Sequence, residues 1–284
     1  MAKGPKITVE EITKQLENHV EEMFRADSFK RWLKTLSAFP SYSLNNTLLI
    51  SMQRPSATKV CGYNKWKELG RNVKTGETGI RIYSPGKKSF YEKELKDANG
   101  NPILDDDGNP KKKKYEYIKY FLVSVFDIEQ TEGEDLPEDP CRKLEDEGDY
   151  DFYVTLEDIC PVPIDIKKLS GDKSGYYSRK DRKIYISDSI SEAQQIKTLL
   201  SEMAQEMLHS EGYDSPKQTQ NLQAEAIAYT VCQHYSFDTS EYSFGYIASW
   251  ADGKGLEELK SGMEPIVKCS KKLIEKIDKH YLAA

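Results

Sequence analysis

The stretch from Gly86 to Phe126 leaves the chain one economical conformation. Its middle, DANGNPILDDDGNPKKKK, is crowded with Asn-Gly, Asp-Gly and Asn-Pro turn signals. The return run, Tyr115–Phe126, is aromatic and β-branched, which favours an extended strand. A long hairpin over residues 86–126 follows, with its base ending on a core; the run Lys111–Lys114 reads as a solvated tip, with phosphate contact as the alternative.

Periodicity supplies the other elements. Residues 8–35 carry Val9, Ile12, Leu16, Val20, Met23 and Phe24 at helical spacing, opened by Thr8 as N-cap with Glu11 three residues on. Pro40 interrupts, and Ser43–Met52 predicts a second helix. Residues 58–84 change to strand-and-turn composition, where Trp66, Val73, Ile80, Ile82 and Tyr83 alternate with Gly62, Gly70, Gly76 and Gly79. Further on, YYSRKDRKIYI (residues 176–186) predicts a second hairpin, and helical patterns cover 189–210, 217–235 and 256–281. No internal repeat is expected. At 284 residues the chain is long enough for two cores. The reading is an α+β fold in two domains. Residues 1–135 combine helices with a curved antiparallel sheet and a protruding hairpin; residues 136–284 form a helical domain with a small β-hairpin.

The net charge of -6 hides an asymmetry. Lys30 to Lys96 holds fourteen Lys/Arg against four Asp/Glu, a balance of +10, whereas Glu129 to Asp158 holds thirteen acidic residues against two basic, a balance of -11. A basic domain followed by an acidic connector suits a polyanion-binding module, and a solvated charged face is the plainer alternative. Five cysteines stand singly with no C-x-x-C pair, so free thiols in a reducing compartment are expected rather than a disulfide frame or zinc cluster. Neither a membrane-spanning stretch nor an apolar leader is read, so the expected location is the cytoplasm.

The basic surplus centres on Ser41–Pro85, SYSLNNTLLISMQRPSATKVCGYNKWKELGRNVKTGETGIRIYSP. Binding unpaired nucleotides needs cations for phosphates and flat rings on which bases stack. Arg54, Lys59, Lys65, Lys67, Arg71, Lys74 and Arg81 interleave with Tyr42, Tyr63, Trp66 and Tyr83, while Asn45, Asn46 and Gln53 offer donors and acceptors for base edges. Each has a structural alternative. Trp66, Val73 and Ile80 suit a core, Asn46 could tie down a neighbouring loop, and the glycines suit turns. Arg54, Lys65, Lys67, Arg71 and Lys74 are the stronger binding candidates because desolvation disfavours charge in a core.

The run Tyr42-Ser43-x-x-Asn46, Gln53-Arg54-Pro55, Gly62-Tyr63-x-x-Trp66, Gly70-Arg71-x-Val73-x-x-Gly76-Glu77-x-Gly79-Ile80 and Pro85, with a closing strand at Val125–Gly133, resembles the N-terminal domain of ArdC-like antirestriction proteins. The resemblance implies single-stranded DNA as partner, in a mobile element whose incoming DNA is shielded from host restriction.

Residues 196–209, IKTLLSEMAQEMLH, have the frame of the zinc-hydrolase helix H-E-x-x-H with Ser201 and Gln205 in the histidine slots and Glu202 in the base slot. Two histidines at i and i+4 would hold zinc from one helical face, and the Glu would activate a metal-bound water. Serine and glutamine are poor zinc ligands, so Glu202 reads as a vestige. This half resembles the metallopeptidase-like, zincin-related half of the same family, in which an acidic E-A-E pattern completes the metal site. Here that pattern is Gln223-Ala224-Glu225, which leaves position 223 also neutral. His209, Glu202 and Glu225 offer an alternative, rearranged site. The expectation is a non-enzymatic, cofactor-free DNA-binding protein. Its alternatives are a pseudoenzyme that captures a host restriction or defence protein, and a peptidase with a rearranged metal site.

Overall fold

In the computed structural model, which describes residues 8–136, 149–171, 173–210, 215–237 and 244–283, the expected hairpin dominates the N-terminal half. Strand β3 (Ile80–Glu94) pairs antiparallel with β4 (Lys112–Asp127), and β1 (Val60–Gly62) pairs antiparallel with the other edge of β4. The short strands β2 (Arg71–Val73) and β5 (Thr131–Gly133) form a separate antiparallel ribbon.

Pro85 does not end its strand. A bulge between Pro85 and Lys88 absorbs it, and because β3 lies at the edge of the order β1-β4-β3, its missing N–H costs little. Gly86 is required there: a Cβ would stand 2.5 Å from the Phe121 ring and 2.8 Å from the Lys119 carbonyl oxygen.

At the far end of the hairpin the chain makes one turn twice, which corrects the expectation of no repeat. LKDANGNP (95–102) and ILDDDGNP (103–110) share Asp, Gly, Asn and Pro at matching positions. Asp97 Oδ1 accepts from the Asn99 and Asn101 N–H groups, both at 2.9 Å, and Asp105 Oδ1 accepts from Asp107 and Asn109 at 3.1 and 2.8 Å. The N–H groups donated to Asp97 hold its carboxyl below the usual carboxylate range. Leu95, Ile103 and Lys111 close a ring of backbone hydrogen bonds, with Ile103 N donating to Leu95 O, Lys111 N to Ile103 O and Leu95 N to Lys111 O.

Helix α1 (Val9–Glu22) opens on the expected reciprocal cap, in which Thr8 N donates to Glu11 Oε2 at 2.7 Å and Glu11 N donates to Thr8 Oγ1 at 3.1 Å. The helix expected to run to residue 35 breaks at Arg25, and α2 (Ala26–Ala38) follows. The break lets Phe29, Trp32, Leu33 and Leu36 bury fully, as Ile12 and Leu16 do on α1 and Met23 does in the turn after it. The side chain of Val20 lies outside the described residues. Helix α3 (Leu44–Gln53) is capped by Ser43, and Trp32 Nε1 donates to Thr47 Oγ1 to tie α2 to α3. One further turn, α4 (Tyr63–Glu68), stands where strand-like composition was read.

The C-terminal half contains α5 (Asp149–Ile159), β6 (Ile164–Lys167), β7 (Gly175–Ser178), β8 (Lys183–Ser187), α6 (Glu192–His209), α7 (Lys217–His234), α8 (Ile247–Ala251) and α9 (Leu256–Tyr281). The expected hairpin is β7–β8; β6 adds an unexpected parallel strand on the other side of β8. Helix α5 takes up part of the acidic connector and buries Phe152 and Leu156, while residues 137–148, with Cys141, lie outside the described residues. The other four cysteines are free thiols.

Apolar packing runs without interruption between the halves. The Phe24 and Trp250 rings lie 5.9 Å apart, and those of Phe29 and Phe244 lie 5.4 Å apart in an edge-on arrangement. Among the described residues no helix is long and apolar enough to cross a membrane.

Candidate nucleic-acid interface and the α6–α7 cleft

Strand β3 exposes one row of backbone groups at its outer edge, and α3 covers part of it with two amides. Asn46 Oδ1 accepts from Tyr83 N and its Nδ2 donates to Tyr83 O, both at 2.9 Å. Gln53 repeats the pattern on Arg81 at the same distances. Arg81 and Tyr83 are two residues apart, so their edge groups point the same way. Both amides act as a surrogate neighbouring strand, a device that blocks edge-to-edge pairing. Their reading as base-edge contacts is therefore corrected, because every polar atom they carry is already engaged.

Trp66 is corrected for a different reason. It is fully buried under β4, with Nε1 donating to Phe126 O at 2.8 Å, so no base can stack on it. Tyr42 is half-buried edge-on against Phe39, and burial pushes its phenol pKa up. The Tyr83 hydroxyl bonds Thr13 Oγ1 and fastens α1 to the sheet.

The cations divide into two groups. Arg54 pairs with Glu129 at 3.0 Å and with the fully buried Asp127 at 3.6 Å. Asp127 also accepts from the backbone of Thr58, Lys59 and Glu129. Gln130 completes the knot by accepting from Asp127 N and donating to Glu77 and to Thr78 O. Sequence reasoning missed Asp127 and Gln130, although D-x-x-Q is a capping-box spacing. Arg71 donates to Thr131 Oγ1 at 2.8 Å and to the Thr131, Gly133 and Glu134 carbonyls. Lys74 reaches Glu129 O at 2.9 Å, and Arg81 reaches Ser124 Oγ at 2.8 Å. These four basic residues brace the loop between β4 and β5 and the wall of the sheet. In the second group, Lys59, Lys65 and Lys67 are exposed, as is the neutral Asn45; Lys65 pairs with Glu68, and the Lys67 ammonium lies 5.0 Å from the centre of the half-exposed Tyr63 ring.

In the other half, β7 is the edge of the order β6-β8-β7 and lies against α6. Gly175 permits the approach, since a Cβ would stand 2.5 Å from Thr198 Cγ2. Glu202 caps this edge by accepting from Tyr177 N at 2.7 Å, and burial raises its carboxyl pKa while the Tyr177 N–H partly lowers it. Ser201 is half-buried, and Gln205 Nε2 donates weakly to Gln220 O at 3.4 Å. Gln223 Nε2 donates to Gly262 O at 2.8 Å, whereas Gln223 Oε1 and His209 Nε2 are buried with no closed hydrogen bond. Burial, backed by the charge of Arg179, holds the His209 imidazole below its ordinary pKa. Glu225 is drawn to the Tyr246 hydroxyl, with its pKa raised by burial.

This donor set does not fit a divalent cation. The helical face that would hold one carries a hydroxyl and an amide, and both nearby carboxylates are committed to protein donors. Among the described residues no group of three His, Cys, Asp or Glu side chains could hold a metal ion.

Residues 6–126 match the family of the N-terminal domain of anti-restriction factor ArdC. An uncharacterized Bacillus anthracis protein, pXO2-81, is 27% identical over 95% of this chain, which spans 50% of that relative's length. The metal-free crystal structure of antirestriction protein ArdC from plasmid R388 superposes with a TM-score of 0.54 at 19% identity, covering 94% of this chain and 98% of that one. Its Mn(II)-bound form gives 0.51 at 18% identity, over 97% and 98%. Residues 6–126 thus match the ArdC N-terminal domain, and the chain as a whole is similar to ArdC in fold.

Proposed function

We propose that this protein binds single-stranded DNA through its N-terminal half and protects incoming mobile-element DNA from restriction, with a metallopeptidase-like half that does not hydrolyse peptides. The observation that carries the reading is the ArdC N-terminal match over residues 6–126, on a stretch whose Lys30–Lys96 section has a charge balance of +10 in a protein of net charge -6. Plasmid origin of the ArdC relative supports the mobile-element setting. The α6–α7 face supports the non-hydrolytic part: Ser201 and Gln205 supply no anionic or imidazole donor, and Glu202 serves the backbone of β7.

Titrating the full chain with a labelled oligonucleotide, single- or double-stranded, at two ionic strengths tests the proposal. Preference for the single strand, with affinity falling steeply as salt rises, is expected from phosphate neutralisation. Affinity indifferent to salt, or a preference for duplex, would overturn it.

A further inference from the structure

The far part of the hairpin carries more exposed ring surface than the segment Ser41–Pro85. Tyr91 and Tyr117 are about half exposed, as are Phe90, Tyr120 and Phe121. The β3–β4 register sorts these side chains by face. Ser89 is opposite Tyr117, Tyr91 opposite Tyr115, and Lys93 opposite Lys113, so these six residues share one face. Lys88 opposite Ile118, Phe90 opposite Glu116, Glu92 opposite Lys114 and Glu94 opposite Lys112 make up the other.

Charge follows the same division. Glu92, Glu94 and Glu116 all lie on the second face with Lys88, Lys112 and Lys114, and Lys88 pairs with Glu116 at 2.8 Å. The first face has Lys93 and Lys113 and no carboxylate. On it, Tyr91 and Tyr115 are nearly parallel at 5.4 Å and 19°, Tyr117 meets Tyr91 edge-on at 5.8 Å, and the Lys113 ammonium lies 5.6 Å from the centre of the Tyr115 ring. Strand alternation places Lys119 and Phe121 on this side of β4 as well, with the ammonium 5.8 Å from the ring centre. Closer to the base the same side of β4 is covered at Val123 and Val125. Past Phe121 it is bare.

We propose that this tyrosine face, Tyr91, Tyr115 and Tyr117 flanked by Lys93, Lys113 and Lys119, is the stacking platform for unpaired nucleotides. The proposal rests on the single-stranded DNA reading above and places its base contacts on the hairpin. Rings supply surface for any base, and the lysines supply cations without neighbouring acids to compete for them. Same-face residues recur about every 6.7 Å along a strand, roughly twice the 3.4 Å step of stacked DNA, so the platform suits bases already out of a duplex stack. A second copy of the chain is the poorer occupant, because two such faces would bring lysines against lysines.

The test compares the wild-type full chain with a Tyr91→Thr, Tyr117→Thr double variant, which keeps strand propensity, and with a Tyr91→Phe, Tyr117→Phe variant, which keeps the rings. Anisotropy of a labelled oligothymidine is read at two ionic strengths, with circular dichroism and sedimentation alongside. The threonine variant should bind at least about ten-fold more weakly with unchanged salt dependence, and the phenylalanine variant should bind as wild type. If wild type binds and the threonine variant matches it, the platform is wrong while the DNA reading stands. If wild type itself does not bind, the DNA reading falls. A wild-type dimer that the threonine variant dissolves would also overturn the platform, in favour of self-association.

Discussion

Replacing Asn46 with Ala separates scaffold from contact most sharply. The substitution removes two 2.9 Å hydrogen bonds to Tyr83 and leaves its N–H and carbonyl without partners at a half-buried sheet edge. At about 1 kcal/mol net per bond, the loss is about 2 kcal/mol, a large share of the roughly 5–15 kcal/mol that holds a domain together. Gln53→Ala removes an equivalent pair from Arg81, but Gln53 is exposed and water can replace it, so about 1 kcal/mol is expected. Urea unfolding followed by circular dichroism reads the stability, and anisotropy under native conditions reads DNA affinity on the same samples. The expected pattern is a lowered unfolding midpoint with unchanged affinity. A ten-fold loss of affinity, about 1.4 kcal/mol, at an unchanged midpoint would refute the assignment and return Asn46 to the DNA.

Other perturbations reach the remaining parts of the account. Burial raises the Glu202 carboxyl, so the folded state binds its proton more tightly than the unfolded state, and the charged form weakens the fold as pH rises above the ordinary carboxylate value. Glu202→Gln should therefore melt no lower than wild type near neutrality, with any gain fading on acidification; a destabilised variant at neutral pH would contradict this. Dialysed protein should retain no stoichiometric zinc or manganese by elemental analysis, and retention at one ion per chain would reverse the reading of Ser201 and Gln205. Lys59→Gln with Lys67→Gln should flatten the salt dependence of DNA binding by about one unit of log–log slope for each phosphate these lysines neutralise; an unchanged slope would remove the β1–α4 surface from the interface.

The legible and illegible parts of the structure differ in the range of the interactions behind them. Thr8 and Glu11 are three residues apart, and their cap could be read directly; so could α6, α7, α9 and the hairpin, from periodicity and turn residues. Asn46 and Gln53 looked like base readers because their partners are backbone atoms 37 and 28 residues away, which no side-chain pattern announces. For Trp66 the core alternative holds: one turn of helix in a strand-like stretch carries it beneath β4. The basic count of Ser41–Pro85 was sound, but Arg54, Arg71 and Lys74 direct their donors to residues 127–134, beyond the segment in which they were counted. Tyr91, Tyr115 and Tyr117 were visible in the sequence, but which face they share depends on the register, and a bulge at Pro85 sets that register. The eight-residue repeat was hidden because its turns keep only Asp, Gly, Asn and Pro in common.

Photo-cross-linking of an iodouracil-substituted single strand to the full chain, with adducts located by mass spectrometry, examines the whole account at once. Adducts should fall on the tyrosines of β3 and β4 and near Tyr63, with none on α6 or α7. Adducts concentrated on α6 and α7, or abolished equally well by competing duplex, would contradict it.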